Sequence, residues 1–407
     1  MNSVDTIIIG SGIAGLYCAY NIKKYSPDTN FLILEKYKKQ WIGGRTNNEI
    51  FYDTQIVTGA GIGRKSKDKL LFKLLIELEL PTRDFLVNPQ YSKLINQIDI
   101  NKVMNKLRDE YVNSKNKSNS FKNFAKTIMG EKLYNEFLIS VGYTDYENED
   151  VEETLYHYGM EDNTCCWKAF SVPWKEMVLK LAKIIGEKQF KFSNNVIKIS
   201  KVSENPNKFM IETEIGKKYL CNKLIIATTI TGIRQLLPNY QIYDNIEGQP
   251  FLRIYGKFSK KSISIMKEYV NGYTILPTSL QKIIPINPDK GIYMIAYNDN
   301  NNTIALKNYL ENTEVNRIFY CELLEKSLGI QTGLLELIAI KSYYWSIGTH
   351  YYKPLDKNKY ISREKFIYKS QRPEKGIIVV GEVVSRNQGW VEGALKSVKT
   401  ILPLLIN

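Results

Sequence analysis

The residue types that point to chemistry stand at the two ends of the chain, and the first group is three glycines in the pattern G-x-G-x-x-G. Gly10, Gly12 and Gly15 directly follow an apolar isoleucine run, which is typical of a buried parallel strand. Gly10 permits a tight turn, Gly12 lets the backbone approach a pyrophosphate, and Gly15 lets the next helix pack against the strand. The free N–H groups where that helix begins, at Ile13 and Ala14, favour phosphate.

An acid completes this pattern. Glu35 ends a second apolar run and lies about 20 residues beyond the last glycine, as a dinucleotide fingerprint requires. Its carboxylate is placed to accept hydrogen bonds from both hydroxyls of a ribose. The alternative is a glycine-rich turn with an acid nearby by chance, but the order strand, glycines, helix, strand and acid favours the dinucleotide site.

A basic loop and a second motif add to the candidate site. Lys36 opens the basic loop, and the glycine pair Gly43 and Gly44 allows close backbone approach before Arg45, whose planar fork suits a pyrophosphate. Near the carboxyl end, an apolar strand runs into Gly381 and Glu382, and a loop then leads to the segment G-W-V-E-G-A-L at residues 389–395. An amphipathic helix is predicted from there to about residue 402.

The intervening pattern predicts the elements that position these groups. Apolar periodicity indicates helices over residues 70–80, 121–138, 175–185 and 313–328. Strands are predicted at residues 195–199, 223–229, 250–258, 273–276 and 293–297, and a hairpin pairs residues 208–213 with 217–221 across Gly216. Residues 113–120 are predicted to be a flexible loop.

Composition limits the function classes. A chain of 407 residues with 43% hydrophobic residues predicts two domains with substantial cores. The net charge of +14 is carried by dispersed lysines, which favours a solvated basic surface over a nucleic-acid-binding stripe. Two histidines, His157 and His350, argue against a histidine-built metal site. Five cysteines, including the neighbours Cys165 and Cys166, show no secreted framework, so we expect a cytoplasmic protein without a signal peptide or membrane span.

The fingerprint, the ribose acid and the sequence G-G-R-T at residues 43–46 together resemble the opening of the flavin-containing amine oxidase family. The carboxy-terminal motif, G-E followed by G-W-V-E-G-A, resembles the family's second signature. The resemblance implies FAD, because an NAD enzyme needs only the first motif. It also implies an α/β fold: a Rossmann-like FAD-binding domain of the glutathione-reductase type with an interleaved α+β substrate domain.

The resemblance implies further cofactor contacts along the chain. The segment at residues 59–61 is expected beneath the flavin, although the family's acid is missing near Thr58. Val196 is expected at the adenine, and Glu382 at the ribityl chain. The implied cofactor-binding residues outside the first forty-five are Gly59, Ala60, Gly61, Val196, Thr228, Gly381, Glu382, Trp390, Val391 and Ala394.

Catalytic residues are implied in the same way. Family members commonly carry a lysine near flavin N5, and here Arg253 takes that position, with Lys257 as the second interpretation. If Arg253 fills it, the charge is kept, but arginine does not give up its proton. Tyr351 and Trp390 are implied as an aromatic pair that holds the amine, with packing as the alternative role, which applies more to the neighbouring Tyr344 and Tyr352. His350 precedes Tyr351 at the position that carries covalent flavin in some members, so non-covalent FAD is expected and attachment at histidine is left open.

The predicted FAD domain combines residues 1–85, 190–240 and 370–407, and the substrate domain combines 86–189, with a helical insert, and 241–369.

The resemblance implies hydride transfer from the carbon beside an amine nitrogen to flavin N5, with dioxygen as acceptor. Alternatives are an L-amino acid oxidase, a desaturase-like or protoporphyrinogen-oxidase-like flavoenzyme, and a non-catalytic FAD-binding protein. The partners are then a small amine or amino acid and dioxygen without a metal, and the oligomeric state is left open. Amino acid oxidases of the family place a carboxylate-binding arginine near Arg64, two positions earlier, but Arg64 is predicted to be a surface residue. The acidic residues 146–153 are predicted to form a solvated loop rather than an acidic pocket.

Overall fold

The computed structural model describes residues 2–115, 117–160, 166–202 and 205–406. Asn116, within the predicted flexible loop, and Cys165, one of the neighbouring cysteines, lie outside the described residues. In chain order the strands are β1 Asn2–Ile9, β2 Phe31–Leu34, β3 Asn48–Phe51, β4 Thr54–Val57, β5 Gly63–Arg64, β6 Asp84–Val87, β7 Gln90–Tyr91, β8 Trp167–Phe170, β9 Phe190–Lys191, β10 Val196–Val202, β11 Asn205–Thr213, β12 Lys218–Ile226, β13 Ile246–Phe258, β14 Thr274–Ile275, β15 Lys282–Asn287, β16 Ile292–Asp299, β17 Leu337–Tyr352 and β18 Ile377–Val379.

The helices alternate with these strands. In chain order they are α1 Ile13–Tyr25, α2 Lys69–Glu77, α3 Ile100–Asn113, α4 Phe121–Val141, α5 Val151–Tyr156, α6 Trp174–Ile185, α7 Ile230–Leu236, α8 Lys260–Tyr269, α9 Asn300–Leu306, α10 Glu314–Leu328, α11 Arg363–Gln371, α12 Val391–Thr400 and α13 Leu402–Ile406. Among the described residues, none of these helices is long and apolar enough to cross a membrane.

The first sheet is built around β1 and has the strand order β10-β11-β12-β1-β2-β9, with β18 pairing to β12. Strand β1 runs parallel to β2 and to β12, and Ile8 stands opposite both Ile33 and Ile225. All three side chains are fully buried, because helices cover both faces of such a sheet. The fingerprint strand is therefore central, and the glycines that follow it lie at its carboxyl end.

Helix α1 covers one face of this sheet and packs against α6 and α12. Met177 and Leu181 of α6 and Leu395 of α12 are buried in the core they share with α1. Burying each such side chain contributes about 1.5–3 kcal/mol. The carboxy-terminal motif is thus fixed to the amino-terminal fingerprint by an apolar core.

The second sheet has the order β17-β13-β16-β15-β14-β7, and its long central strand β13 is antiparallel to both β16 and β17. Its core includes Ile254 of β13, Ile295 of β16 and Leu324 of α10, all fully buried. The two sheets draw on different stretches: the first uses residues within 1–85, 190–240 and 370–407, and the second within 86–189 and 241–369. Helix α6, from the stretch predicted for the substrate domain, packs on α1, and the domain boundaries stay a prediction.

Helices α3, α4 and α5 pack into a separate helical layer around fully buried Phe121, Tyr134 and Tyr146. The prediction that residues 146–153 form a solvated acidic loop is wrong. Asp150 and Glu153 are buried, and the Arg363 guanidinium contacts both, at 2.8 and 3.3 Å. This arginine belongs to α11 and lies more than 200 residues away in sequence, so no local sequence pattern indicates the pairing.

The local element predictions agree well with the structure. The hairpin across Gly216 is confirmed by the antiparallel pairing of β11 with β12. The predicted strand at residues 223–229 is not separate from it, because β12 continues from the hairpin and pairs first with β11 and then with β18. The predicted helices at 70–80, 121–138, 175–185 and 313–328 correspond to α2, α4, α6 and α10.

Candidate active site

One cavity of about 1830 Å³ extends from the carboxyl ends of the first sheet's strands to the second sheet. Ile9 and Glu35 line one part of it, and Phe251, Arg253 and Tyr351 line another. The carboxyl edge of a parallel sheet is where such folds bind nucleotides. The volume exceeds the range of about 300–1,000 Å³ typical of a pocket for one small ligand.

The fingerprint glycines meet different steric demands. Gly10 has φ +104°, and a Cβ there would lie 2.5 Å from the Ala227 carbonyl oxygen. A Cβ on Gly15 would lie 2.0 Å from the Gly10 oxygen, so the helix packs on the strand as predicted. A Cβ on Gly12 would meet no protein atom within 4 Å. Because Gly12 lines the cavity, its backbone is open to a ligand.

Glu35 is held in place by the fingerprint loop. Its Oε2 accepts hydrogen bonds from the backbone N–H and the hydroxyl of Ser11, both at 2.8 Å, and its Oε1 accepts from the Tyr37 N–H at 2.9 Å. The carboxyl group lies on the cavity wall. It thus lies at the carboxyl edge of the sheet, where folds of this type bind nucleotides.

The second glycine pair lies against the fingerprint. The Gly43 N–H donates to the Ser11 carbonyl oxygen at 2.9 Å. A Cβ on Gly59 would lie 2.3 Å from the Arg45 carbonyl oxygen, and the next N–H, of Ala60, donates to that oxygen at 2.7 Å. Three segments that the sequence places far apart therefore line one wall.

Glu382 is a buried carboxylate with several donors. It accepts from Arg45 at 3.3 Å, from the Gly389 N–H at 3.0 Å and from His350 Nδ1 at 2.5 Å. Burial opposes ionisation, but these donors lower the pKa of Glu382 to about 2. The Ile230 N–H donates to His350 Nε2 at 3.1 Å, and His350 Nδ1 faces Glu382. Both ring nitrogens of His350 are therefore engaged.

The helix that follows this motif starts at the cavity. Trp390 is the N-cap of α12, and its ring meets the Trp174 ring edge to face at 6.2 Å. Within the described residues, the Trp390 indole nitrogen and the Gln388 amide oxygen are buried without a hydrogen-bond partner. Both residues line the cavity. Orphaned polar atoms at the start of a helix indicate a polar ligand at this place.

Arg253 lies inside the cavity wall and is only 2% exposed. Its Nε donates to the Gly59 carbonyl oxygen at 2.7 Å, and its guanidinium lies 4.3 Å from the Tyr297 ring centre and 5.1 Å from that of Phe251. These contacts fix a positive charge next to the segment at residues 59–61. A guanidinium there stabilises negative charge but exchanges no proton.

The structure brings almost all of the predicted site residues to this one cavity. Those that line it are Gly10, Gly12, Ile13, Ala14, Glu35, Lys36, Gly43, Gly44, Arg45, Gly59, Ala60, Val196, Thr228, Arg253, Tyr351, Gly381, Glu382, Trp390, Val391 and Ala394. Gly15 packs on Gly10 instead, and the Gly61 carbonyl accepts from the Trp174 indole at 2.7 Å. Lys257 lies outside the lining, and its Nζ donates to the Lys290 carbonyl.

Arg64 is not the open surface residue that the sequence suggested. It lines the cavity, and its guanidinium pairs at 3.3 Å with the fully buried Asp68, four residues later in the chain. The prediction that Arg64 is a surface residue is therefore corrected. Arg64 lies at the cavity wall because its strand, β5, pairs with β8 there.

Several lining residues escaped the sequence analysis. Tyr143, Asp145, Tyr158, Gln249 and Tyr297 line the same cavity as Arg253. Gln249 lies four residues before Arg253 on β13, although the pairing with β17 shifts register between them, and this even spacing is the one local signal that could have found it. The others come from loops or from a neighbouring strand, so only the tertiary structure reveals them.

Comparisons with known proteins support the fold. A model of the NAD(P)-binding Rossmann-like domain matches residues 8–77. An uncharacterized protein of Acanthamoeba polyphaga mimivirus is 21% identical, over 98% of this chain and 93% of the viral protein.

Solved structures extend the match to the whole chain. A putrescine oxidase redesigned in its cofactor binding superimposes with a TM-score of 0.75 at 14% identity, covering 100% of this chain and 99% of that one. Cyclohexylamine oxidase from Brevibacterium oxydans gives a TM-score of 0.74 at 16% identity, covering 99% and 98%. The expected fold, a Rossmann-like domain with a second, interleaved sheet, is confirmed and is shared with these two oxidases.

Proposed function

We propose that this protein is an FAD-dependent oxidoreductase that removes hydride from the carbon next to an amine nitrogen and uses dioxygen as the acceptor. The observation that carries the proposal is the continuity of the cavity. The dinucleotide fingerprint, the Glu382 motif and the aromatic region around Arg253 line one space. A nucleotide cofactor that begins at Glu35 thus has room to reach Arg253.

The residues present fit FAD. Gly12 and Gly44 leave backbone open to a pyrophosphate, Glu35 suits the adenosine ribose, and Glu382 suits the polyol chain. The orphaned Trp390 and Gln388 atoms lie where the N-terminus of α12 meets the cavity. When bound, the flavin supplies the hydride acceptor. Because both nitrogens of His350 already have partners, we propose that FAD is held without a covalent bond.

The remaining chemistry is binding and orientation by the chain itself. Tyr351 and Trp390 line the cavity, and aromatic rings there would attract an amine and exclude water. The N–H groups at the start of α12 and the Arg253 guanidinium stabilise negative charge that develops near them. Arg253 cannot accept a proton, so it does not deprotonate the amine, and hydride loss requires the neutral amine.

Arg64 on the cavity wall favours one second candidate, oxidation of an L-amino acid whose carboxylate it would bind. Its ion pair with Asp68 already neutralises this charge, so the amine without a carboxylate remains the stronger candidate.

The test is anaerobic reduction of the purified flavoprotein, followed by loss of absorbance at roughly 450 nm, the usual flavin band. Monoamines, diamines and L-amino acids are compared. We expect bleaching by amines, and a lower rate in Trp390→Ala by up to about 30-fold, given about 0.5–2 kcal/mol for each aromatic contact with an amine. Tyr368→Ala removes an exposed ring outside the cavity and serves as the control.

A yellow protein that no amine bleaches would refute amine oxidation and favour the desaturase-like or non-catalytic alternatives. A protein that cannot take up FAD would refute the cofactor assignment as well.

A further inference from the structure

Hydride loss from an amine needs a proton acceptor that Arg253, His350 and Glu382 do not supply. An alkylamine, like a lysine side chain, is an ammonium ion below about pH 10, and its nitrogen then has no lone pair to support hydride loss. Arg253 keeps its proton, both ring nitrogens of His350 have partners, and Glu382 has a pKa of about 2. A group that takes the proton has to lie on the cavity wall and change its charge near neutral pH.

Asp145 has the place of such a group. It lies in the loop between α4 and α5 and lines the cavity, and its Oδ1 accepts from the Tyr158 hydroxyl. Two charged side chains from the second sheet act on it, Lys282 of β15 and Asp299 at the end of β16. The exposed fraction is 0% for Lys282 and 3% for Asp299, so these charges are poorly screened by water.

The ammonium group of Lys282 is the cation of this cluster. Among the described residues its Nζ has no hydrogen-bond partner. It lies over the rings of Tyr143 and Tyr297, 3.1 and 4.3 Å from their centres, and both rings line the cavity. Lys282 itself does not line the cavity, so it can act on a ligand through its charge and its neighbours but not by contact.

The two carboxyl groups beside Lys282 receive different numbers of donors. Asp299 accepts from the Thr144 N–H at 3.0 Å, from the Thr144 hydroxyl at 2.6 Å and from the Gln281 amide at 3.1 Å. For Asp145, one side chain among the described residues donates, Tyr158. A single ammonium does not compensate two carboxylates, so the one with fewer donors takes up a proton more readily.

Burial brings this ionisation toward neutral pH. Burial raises the pKa of Asp145, and the charge of Asp299 adds to the effect, whereas the Tyr158 hydrogen bond and the Lys282 charge oppose it. Burial also lowers the pKa of Lys282, against the charges of both aspartates. Glu149 is a further acid on this wall, and burial raises its pKa well above the usual range. The proton content of the cluster therefore changes at neutral pH, through Asp145 and Lys282.

An unpaired acceptor for an amine N–H lies next to Asp145. Gln249 is 4% exposed and lines the cavity, and its amide nitrogen donates to the Asp145 carbonyl oxygen at 2.7 Å and to the Thr349 hydroxyl at 3.2 Å. Among the described residues, no donor reaches its Oε1. A Cβ on Gly389 would lie 3.9 Å from the Thr349 methyl group, so this acceptor is close to the segment that carries Trp390. An unpaired buried acceptor indicates a ligand donor.

We propose that Asp145 is the proton acceptor of the site: its carboxylate takes a proton from the substrate ammonium group, and the neutral amine donates a hydrogen bond to Gln249 Oε1. This inference rests on the proposed amine oxidation. One N–H bond of the ammonium group breaks, an O–H bond forms on Asp145, and the electron pair stays on nitrogen, where it supports hydride loss. Both products of the transfer are neutral, which a buried site favours over two charges. The Lys282 charge then compensates Asp299 alone.

The test is the pH dependence of the second-order rate constant for anaerobic flavin reduction by hexylamine, whose ammonium group resembles that of lysine. With Asp145 as acceptor, the wild-type rate constant falls only on the acid side of neutrality. Asp145→Asn is expected to lower it about 100-fold at pH 7, the lower end of the usual contribution of proton transfer. The loss should disappear near pH 10, where the free amine is itself largely neutral. A purely structural role of Asp145 would instead give the same loss at every pH.

Three more variants complete the comparison. Lys282→Met removes the charge that opposes protonation of Asp145, so the fall in rate should begin at higher pH. Gln249→Leu removes the acceptor and should weaken hexylamine binding without moving the fall in rate. Asp53→Asn is the matched control, because that side chain is 93% exposed and lies outside the cavity lining, and it should match wild type.

The inference is overturned if the loss in Asp145→Asn does not depend on pH or if the control shows the same loss. If Asp145→Asn does not fold, the Lys282→Met profile decides, and an unshifted profile overturns the inference.

Infrared difference spectroscopy separates this inference from the proposed function. Hexylamine is added at pH 8 to protein whose flavin was reduced beforehand with dithionite, so no hydride is transferred. On binding, the band of a protonated carboxyl group should appear in the wild-type protein and be absent in Asp145→Asn. If hexylamine does not reduce the oxidised flavin, the proposed function fails for this amine, yet a band that depends on Asp145 still supports the proton acceptor. No binding, no band, or a band that persists in the variant overturns it.

Discussion

Arg45 Nη1 donates to Glu382 Oε1 at 3.3 Å, although 337 residues separate the two in sequence. Arg45 also donates to the Gly348 carbonyl oxygen, so one guanidinium contacts both the carboxy-terminal motif and β17. The two ends of the chain thereby form one wall of the cavity. A change at either residue is expected to affect the same site.

Two of the fingerprint glycines have different roles: Gly15 is needed for packing, and Gly12 leaves space for a ligand. Gly15→Ala would place a Cβ 2.0 Å from a backbone oxygen, so we expect a loss of about 1–3 kcal/mol in stability, as for overpacked sites. Gly12→Ala meets open space and an extended backbone, so it should fold normally. Because the new methyl enters the cavity, FAD affinity should fall at least about tenfold, or 1.4 kcal/mol.

Thermal unfolding of the FAD-free proteins and the flavin content after purification measure the two effects. Equal melting temperatures for Gly12→Ala and Gly15→Ala would contradict this assignment of roles.

The stability of the protein should depend on pH through the ionisation of Glu382. Its folded pKa of about 2 lies below the ordinary value of 4.5, so its contribution is complete above pH 4.5 and is lost as the pH falls toward 2. The shift corresponds to on the order of 3 kcal/mol. Glu382→Gln should lower the melting temperature at pH 6, and the difference from wild type should shrink by pH 3. Glu131→Gln, an exposed acid, is the control; a difference that stays constant with pH would argue against the shift.

Arg253 should be a fixed charge that a lysine replaces only in part. Arg253→Ala loses the 2.7 Å bond to Gly59 and leaves space beside Tyr297, so we expect a loss of about 2–4 kcal/mol in stability. Arg253→Lys keeps the charge, but burial lowers the pKa of a lysine. Its flavin-reduction rate should therefore gain an additional pH dependence near neutrality, beyond the one that amine ionisation gives the wild-type protein. Stopped-flow profiles that coincide for the two proteins would contradict this.

The buried acids of the helical layer should depend on Arg363. Arg363→Leu leaves Asp150 and Glu153 without their shared cation, and breaking a buried ion pair in this way costs about 3–5 kcal/mol. Urea unfolding measures the loss. Arg83→Leu, at an exposed position, should stay within about 0.5 kcal/mol of wild type. A similar midpoint for both variants would mean that the buried pair contributes little.

The sequence by itself predicted the part of the cavity wall that we propose binds the nucleotide. The roles of Gly10, Gly12 and Gly15 follow from backbone sterics within a few residues, and the distance to Glu35 follows from one strand, turn and helix. The carboxy-terminal motif is likewise contiguous from Gly381 to Leu395. Local periodicity was also enough to predict α2, α6 and α10, because each buries one face against a core.

Only the tertiary structure revealed the other part of the cavity wall, which we propose binds the substrate. Asp145 and Gln249 meet through a loop after α4 and strand β13, and no sequence spacing relates them. The acidic segment was predicted to be solvated because its compensating cation, Arg363, is more than 200 residues away. Strand alternation could not distinguish Lys257 from Arg253, because the two residues lie four positions apart on the same strand and alternation predicts the same face for both. Only the position of the cavity distinguished them. The role of a charged side chain depends on whether it is buried and on which distant residue it pairs with, and the local sequence shows neither.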